Sequence, residues 1–436
     1  MSLQNARKLG IVTSLAFALV ASSAGAQESA LDGARSAVKS QPASLDASIA
    51  LGRALRRAGR YAEALTELRR GASLLPGRAG DGAVRVQWEI ARTYVGQRDF
   101  GQAMVACKVA GAQTGGAAAA AGHACAAEAH LLWRRATEAL VEVQAALSGG
   151  TKSYEAKVAE AQAYLLQLKE ADAEKALREA IGWKEDAPAA HRILGRLLVD
   201  QGKVDAGVVE LRRAYALDGT DPDVCFELAR GLGTTAEAQV LYQRAVKERP
   251  SFTDAWIKLA ELELGGGRPA DARKSAAQAL AGAPQDASAH VLMGRVAYAE
   301  GKYDDAINEA KTALGILGNS APAKVLMADA LAGKGEIDLA LEQYQAAYAF
   351  DRTDPATLIK AADACRRAGR FTSARAFGDR ATKDFPDFAP AWVAYGEALL
   401  ADKETGAAKA AFDKALAAPK GTIDKDAVRA KIAGIK

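Results

Sequence analysis

Residues 51–76 read LGRALRRAGRYAEALTELRRGASLLP, and similar stretches return along the chain. One of them, LGRLLVDQGKVDAGVVELRRAYAL, covers residues 194–217, and another, MGRVAYAEGKYDDAINEAKTAL, covers residues 293–314. Two more align with these without gaps, AADACRRAGRFTSARAFGDRATKDFP at 361–386 and YGEALLADKETGAAKAAFDKAL at 395–416. A recurring sequence unit predicts a recurring structural unit that packs on its neighbours.

The units follow one another at a nearly constant spacing. Most spacings are 34 residues, with repeat starts at 45, 84, 120, 154, 188, 222, 253, 287, 321, 355 and 389. The first two spacings are longer, which we attribute to longer loops, and the sixth is shorter by three residues. Glycine stands at the middle of many units, where it predicts a turn, and proline closes several of them, where it halts a helix.

Three positions in each unit hold only glycine or alanine. The first, in the leading half, is occupied by Gly52, Ala91, Ala127, Ala161, Gly195, Ala229, Ala260, Gly294, Ala328, Ala362 and Gly396. The other two lie in the following half, as in the pairs Ala64 and Gly71, Ala173 and Ala180, Gly207 and Ala214, Ala306 and Ala313, and Ala408 and Ala415. Where two helices approach closely, any group larger than a methyl forces them apart. The pattern therefore predicts pairs of tightly packed helices.

With this period and these small residues, the chain resembles the tetratricopeptide repeat family, whose unit is a helix, a turn and a helix in 34 residues. The resemblance implies an all-α fold, a right-handed superhelical solenoid of about eleven helix-turn-helix repeats. We expect an N-terminal half repeat over 27–44, the solenoid over 45–421 and a C-terminal capping helix over 422–436. Such a cap shields the last apolar face from water.

The first 26 residues differ from all later ones. Arg7 and Lys8 precede an apolar stretch from Leu9 to Ala21, and Ala24-Gly25-Ala26 follows it. This order is typical of a cleavable secretory signal, and the apolar stretch is too short to span a bilayer. We therefore expect cleavage before Gln27, no transmembrane segment afterwards and a periplasmic location, while secretion from the cell stays open.

The charge balance argues against one class of partner. The chain has 57 basic and 53 acidic residues, a net charge of +4, and loss of the signal would leave 55 basic residues and a net charge of +2. Proteins that bind nucleic acid carry a strong basic excess on the binding face. We expect other proteins or peptides as partners, and no nucleic acid.

The leading helices of such a stack line its concave side, and we expect a partner to bind there. One row of residues on them is mostly apolar, and the row one turn later changes from basic to acidic along the chain. The side chains that we expect to contact a partner are Arg53, Arg56, Arg57, Arg85, Trp88, Arg92, Arg192, Arg196, Phe226 and Arg230. Guanidinium groups beside an indole suit a peptide with carboxylates and some apolar side chains. Two other interpretations stay open: that the charges only keep this face hydrated, and that part of the apolar row packs on neighbouring helices.

Four cysteines in an exported chain suggest a disulfide. Cys107 and Cys125 fall on adjacent helices of the expected stack, and they are the candidate pair. Cys225 and Cys365 fall four repeats apart, so we expect buried free thiols.

The region around the candidate disulfide allows a second interpretation. His123 and His130 share a helical face, and with Cys107 and Cys125 they resemble a metal-ligand set, although we expect no metal and no cofactor. The run of alanine and glycine from Gly111 to Gly122 predicts a long loop with a frayed helix start.

The sequence points to binding and not to catalysis. No Ser/His/Asp arrangement or nucleophile elbow is apparent, and repeats and caps account for the expected mature chain, so we expect no enzyme. The preferred function is a non-catalytic scaffold in the bacterial envelope that holds components of a pilus, secretion, polymer-export or motility assembly. The alternative is a periplasmic chaperone-like receptor for extended peptides.

Overall fold

The computed structural model describes residues 31–75, 80–112 and 116–435. These residues form 24 α-helices, and their only strand-like contact is one isolated bridge between Phe388 and Lys420. The predicted all-α fold is confirmed. The predicted signal over 1–26 lies outside the described residues. Within the described part of the chain, no helix is both long enough and apolar enough to cross a membrane.

The chain divides into two compact units, Met1–Ala255 and Trp256–Lys436, which we call the N-terminal unit and the C-terminal unit. In the N-terminal unit, helix α1 covers 31–40 and six helical hairpins follow it. Their helices are α2 (Leu45–Arg57), α3 (Tyr61–Ser73), α4 (Asp81–Gly96), α5 (Phe100–Gly111), α6 (Gly116–Leu132), α7 (Ala136–Ala146), α8 (Tyr154–Leu166), α9 (Glu170–Trp183), α10 (Pro188–Asp200), α11 (Val204–Leu217), α12 (Pro222–Leu232) and α13 (Ala236–Glu248). We call the first helix of each hairpin the leading helix and the second the trailing helix.

The next five hairpins and a final helix follow, and apart from the start of α14 they lie in the C-terminal unit. Their helices are α14 (Thr253–Gly265), α15 (Pro269–Gly282), α16 (Ala287–Ala299), α17 (Tyr303–Ile316), α18 (Ala321–Gly333), α19 (Ile337–Phe350), α20 (Pro355–Arg367), α21 (Phe371–Asp384), α22 (Ala389–Ala401), α23 (Thr405–Ala417) and α24 (Lys425–Gly434). The last of these, α24, buries Val428 in a cluster with Phe412 and Leu399 of the final hairpin. It therefore covers apolar surface that the final hairpin would otherwise expose.

Short sequence signals fix the ends of the helices. The hydroxyl of Ser44 accepts a hydrogen bond from the backbone N–H of Ala47 at 3.2 Å, which satisfies a donor that the first turn of α2 leaves unpaired. At the turn inside a hairpin the backbone becomes left-handed, as at Gly59 with a φ of 74°. Leu168 takes the same conformation with a φ of 59°, which costs energy because its Cβ crowds the backbone.

The small residues sit where the two helices of a hairpin touch. A Cβ added to Gly195 of α10 would lie 2.5 Å from Cγ of Leu211 and 2.8 Å from the carbonyl oxygen of Gly207, both on α11. In the C-terminal unit, a Cβ added to Gly396 of α22 would lie 2.6 Å from the ring of Phe412 on α23. These distances are too short for real side chains, so the hairpins need glycine here to keep their spacing.

The structure differs from the sequence-based expectation around the third hairpin. Helices α4 and α6 begin at Asp81 and Gly116, three and four residues before the repeat starts assigned at 84 and 120. The long loop predicted from Gly111 to Gly122 is wrong, because α5 continues to Gly111 and α6 includes the alanine run from 117 to 121. Alanine has the highest helix propensity, and this outweighs the flexibility of the flanking glycines.

Candidate protein-binding face

The side chains predicted to bind a partner lie on the leading helices of the N-terminal unit. We call the surface that α2, α4, α6, α8, α10 and α12 form with these side chains the leading-helix face. Its first charged cluster surrounds Glu89 of α4, whose side chain is only 2% exposed. Arg53 and Arg56 of α2 and Arg92 of α4 all donate to this carboxylate, at N–O distances of 2.8, 3.3 and 2.9 Å.

Arg92 extends the cluster to the next leading helix. Its Nε and Nη2 atoms donate to the two carboxylate oxygens of Glu128 on α6, at 2.7 and 2.9 Å. The indole N–H of Trp88 donates to the same carboxylate, and the guanidinium of Arg92 lies 5.9 Å from the centre of the Trp88 ring. Arg92 and Trp88 therefore hold α4 against α6.

The electrostatics of the cluster follow from burial and charge. Burial tends to raise the pKa of Glu89, but the charges of Arg92, Arg53 and Arg56 outweigh it and hold that pKa below its usual range. Burial lowers the pKa of Arg56, and the Nε atom of Arg56 is buried without a hydrogen-bond partner. Three guanidinium groups share two carboxylates, those of Glu89 and Glu128, so this structural cluster keeps a net positive charge.

Two more of the predicted arginines also form ion pairs with carboxylates of this chain. Arg85 donates to Asp46 at 2.7 Å, and both side chains are largely exposed. Arg230 donates to Asp200 at 2.6 Å and to Glu227 at 2.9 Å. Five of the eight arginines predicted to bind a partner therefore pair with carboxylates of their own or neighbouring leading helices.

Three predicted arginines, Arg57, Arg192 and Arg196, form no ion pair with any residue that the structure describes. Near them, Asp223 of α12 accepts two hydrogen bonds from Arg249, at 2.9 and 2.6 Å. Burial tends to raise the pKa of Asp223, but the bonds and charge of Arg249, together with the charges of Arg192 and Arg57, hold it below its usual range. Charges from the first, fifth and sixth hairpins thus act at one place on the leading-helix face.

The apolar part of the leading-helix face is partly used for packing. Phe226 lies 4.9 Å from the ring of Phe252 and 5.7 Å from the ring of Tyr242, measured between ring centres, so it packs inside the sixth hairpin and its following loop. Trp88 is half-buried beside Glu128. Leu132, at the end of α6, is 56% exposed, and it is not among the residues predicted from the sequence.

The leading helices of the C-terminal unit also border open cavities, but the acidic side chains there are paired with basic or hydroxyl groups. One cavity of 880 Å³ is lined by residues that include Tyr298, Tyr344 and Lys360. The hydroxyl of Tyr344 and the ammonium of Lys360 both donate to Asp329, at 2.5 Å each. Asp363 is likewise bonded by Arg366 and Arg367. The acidic residues predicted for this end of the chain therefore carry their own counter-charges.

The carboxylates that neutralise the arginines were missed in the prediction from sequence. Glu89 and Glu227 occupy the same position in their repeats, and each stands three residues before an arginine of its own helix, Arg92 or Arg230. Residues three apart face one another on a helix. The sequences EIAR and ELAR in the second and sixth repeats were therefore the available signal that these arginines are paired.

Cys107 and Cys125 form a disulfide that joins α5 to α6, with their Cα atoms 5.3 Å apart. Because their sulfur atoms are bonded to each other, they offer no thiolates for the metal site considered as an alternative. His123 pairs instead with Glu142 at 2.7 Å, and His130 is buried against the ring of Phe100. Within the described residues, no group of three or more His, Cys, Asp or Glu side chains is placed to hold a metal ion.

Cys225 and Cys365 are buried free thiols. Burial raises the pKa of each thiol to about 11, so neither ionises readily at neutral pH. A thiol needs its ionised form to act as a nucleophile or a metal ligand, so the structure gives these two cysteines a packing role.

Stacked helical hairpins that expose arginine and large apolar side chains along one face define a class of helical-repeat proteins that bind other proteins. Two sequence models described as tetratricopeptide repeat match this chain. One matches residues 15–79, 158–222, 291–357, 325–387 and 359–421, more than half of the chain, and the other matches residues 230–296. The chain belongs to the tetratricopeptide repeat family.

Comparisons with individual proteins gave matches of structure only. No curated protein matches the sequence. The structure of yeast Tom70 is similar over 97% of this chain and 96% of that one, with 13% identity and a TM-score of 0.49. The structure of the APC/C hetero-tetramer Cut9-Hcn1 is similar over 93% and 92%, with 12% identity and a TM-score of 0.46. A thermophilic tetratricopeptide repeat protein of Thermus thermophilus, TTC0263, is similar over 41% and 98%, with 25% identity and a TM-score of 0.36.

Proposed function

We propose that this tetratricopeptide repeat scaffold acts in the bacterial envelope, where it holds the components of a multiprotein assembly and catalyses no reaction itself. Assemblies of the pilus, secretion, polymer-export or motility type are the candidates. The observation that carries the proposal is the leading-helix face, on which Arg57, Arg192 and Arg196 form no ion pair with a described residue and Leu132 is exposed. Arginine and large apolar side chains are enriched where proteins bind one another.

Two features support export to the envelope. The order of residues in the first 26 positions is that of a secretory signal. The disulfide between Cys107 and Cys125 also favours an oxidising compartment, because thiols in the cytosol are kept reduced.

The mass of the protein purified from cells tests the predicted compartment. The measurement is needed because one family match begins at residue 15, inside the segment that the predicted cleavage would remove. Cleavage after Ala26 and recovery in the periplasmic fraction support the proposal. A chain that keeps its first residues and stays in the cytosol contradicts it. Blocking free thiols before lysis, followed by non-reducing electrophoresis, reports whether the disulfide is present in the cell.

The scaffold role is tested by crosslinking in intact cells, affinity purification of the tagged full chain and mass spectrometry. We expect a short, reproducible set of envelope proteins. The charge-reversal variant R192E/R196E is the test variant, and R178E/R212E, which changes two exposed arginines of the trailing helices α9 and α11, is its matched control. A broad and weak set of captured proteins would favour the chaperone-like receptor instead, and no captured protein at all would refute the scaffold role.

A further inference from the structure

Valine recurs at one exposed position of the trailing helices in the N-terminal unit. This position lies two residues after the first buried glycine or alanine of each trailing helix. In the second to sixth hairpins it is occupied by Val105, Val141, Lys175, Val209 and Val240. The four valines are 54%, 63%, 66% and 63% exposed. We call the surface around these five side chains the valine face, and it shares no helix with the leading-helix face.

The local sequence gives no reason for valine at this position. On an exposed helix surface, valine has a lower helix propensity than alanine, lysine or glutamate, and it leaves apolar area in water. The other six hairpins have instead Thr66, Lys274, Asn308, Glu342, Ala376 and Ala410. Exposed apolar side chains that recur on one face indicate a surface that another molecule covers.

Charged side chains lie in a fixed order on both sides of the valine face. Three residues before the valine position, the trailing helices carry the exposed acidic residues Glu138, Asp172 and Glu237. Three residues after it, they carry the exposed basic residues Lys108, Arg178 and Arg212. Residues three apart lie on the same side of a helix. The valine face is therefore acidic toward the starts of its helices and basic toward their ends.

This order of charges is self-complementary under a two-fold rotation. An axis through Lys175 of α9, the central helix of the valine face, reverses both the order of the hairpins and the direction of the helices. The rotation places each acidic residue opposite a basic residue of the second copy: Asp172 opposite Arg178, Glu138 opposite Arg212, and Glu237 opposite Lys108. A face of this kind matches a second copy of the same chain in charge.

The same rotation places valine opposite valine. Val141 lies opposite the second copy's Val209, and Val105 lies opposite its Val240. The remaining positions in the acidic and basic rows are uncharged and lie opposite one another: Gln102 opposite Gln243, and Ala206 opposite Gln144. Among these three rows, only Lys175 lies opposite a like charge, because it stands on the axis itself.

Within one chain these charges are weakly engaged. Lys108, Glu138 and Asp172 form no ion pair with a described residue. Arg212 pairs with Glu237 at 2.8 Å, but the two side chains are 51% and 48% exposed. Ion pairs at this exposure contribute little to stability, so a charge from a second copy replaces one at small cost.

We infer that two copies of this chain form a symmetric dimer through the valine face, with their α9 helices antiparallel across the two-fold axis. An interface on such an axis uses the same surface of both copies, so one set of side chains supplies both halves of every contact. The dimer uses no side chain of the leading-helix face, and the inference therefore goes beyond the proposed scaffold function.

Sedimentation equilibrium of the purified full chain between about 1 and 200 μM tests the dimer. We expect a monomer–dimer equilibrium that weakens as salt rises, because part of the contact is between charges. The variant V141E/V209E should weaken association by at least about tenfold. A chain that stays monomeric over the whole range would overturn the inference.

The matched control is L339E/F350E, which changes two apolar side chains of the trailing helix α19 in the C-terminal unit. Leu339 and Phe350 are 48% and 58% exposed, similar to the valines. This control should change the dissociation constant by less than about twofold. Circular dichroism checks that every variant keeps its helix content, which we expect because the changed side chains are exposed. Equal effects of the two double variants would contradict the assigned face.

Charge exchange tests the two-fold arrangement. D172R places an arginine opposite the second copy's Arg178 and should weaken the dimer by about tenfold. D172R/R178D restores opposite charges across the axis and should recover most of the lost affinity. K175V removes the like-charge contact on the axis and should strengthen the dimer by at least about threefold. Loss of affinity in D172R/R178D as large as in D172R would refute this arrangement.

The variant R178E/R212E separates the dimer from the proposed scaffold function. It reverses two basic residues of the valine face, so it should lose the dimer and still capture the envelope proteins that R192E/R196E loses. A monomeric wild-type chain whose captured proteins are lost in V141E/V209E would assign the valine face to another protein and overturn the dimer. A dimer that captures no envelope protein would refute the scaffold function alone.

Discussion

Replacing Glu89 by glutamine tests whether the arginine cluster is structural. The carboxylate is 2% exposed and accepts bonds from Arg53, Arg56 and Arg92. Breaking a buried ion pair by removing one partner costs about 3–5 kcal/mol. Here the three guanidinium groups are 27–47% exposed and can recover some hydration, and glutamine still offers one acceptor oxygen. We therefore expect a loss of about 2–3 kcal/mol in the free energy of unfolding, at or below the lower end of that range.

The matched control is D46N, which removes a carboxylate from the same face. Asp46 and Arg85 are 75% and 55% exposed, so this pair should contribute less than about 1 kcal/mol. Urea unfolding followed by circular dichroism measures both losses, and hydrogen exchange read by mass spectrometry locates them. In a stack of repeats each hairpin contacts only its neighbours, so protection should fall in α2, α4 and α6 first. A structural role of Glu89 is refuted if E89Q and D46N lose the same amount of stability, or if protection falls equally in the C-terminal unit.

The pH dependence of stability gives a second test of the role of Glu89. The pKa of Glu89 is lowered in the folded protein, so its ionised form stabilises the fold above the unfolded pKa of about 4.3. This contribution is lost as the pH falls through the lower, folded value. The difference between wild type and E89Q should therefore be complete at pH 7 and shrink in acid. A difference that is as large in strong acid as at pH 7 would point to altered packing as its cause.

Three further predictions concern stability. Gly195→Ala should destabilise by about 1–3 kcal/mol, because its methyl has no room, whereas Gly182→Ala, with nothing within 4 Å, should be neutral or stabilise by about 0.5 kcal/mol in the same urea assay. Burial raises the pKa of Glu263 in the folded protein. Its contribution to the free energy of unfolding is therefore favourable below the unfolded pKa of about 4.3 and is lost as the pH rises through the folded pKa. Glu263→Gln should raise the urea midpoint at pH 7 but not in acid. Reduction of the disulfide between Cys107 and Cys125 should cost roughly 3 kcal/mol, and a C107S/C125S variant should not respond to reductant.

The candidate site was only partly predictable from the sequence. The repeat period placed Arg53, Arg192 and their equivalents on leading helices, because residues at matching positions of a repeat share a face. It did not show which arginines are available. Arg53 meets Glu89 from the next hairpin, 36 residues away, and Asp223 meets Arg249, the residue that follows the trailing helix of its own hairpin.

The helical hairpins follow from the local sequence alone. Glycine or alanine at every close contact indicates two helices whose backbones approach closely. Each repeat shows this pattern by itself, because both helices of a hairpin are close together in the sequence. The alanine run of α6 shows the limit of such a prediction, since its flanking glycines suggested a loop although alanine itself favours a helix.

The distribution of unpaired charge depends instead on contacts between hairpins. A guanidinium group loses its availability when a carboxylate from another helix comes within about 3 Å, and that depends on how successive hairpins are rotated and on which rotamers fit between them. Repeat position does not contain this information, since Arg53 and Arg196 occupy the same position and only Arg53 is paired with a described carboxylate. The repeat period thus assigns the arginines to a face, and packing between hairpins selects Arg57, Arg192 and Arg196 as the ones open to a partner.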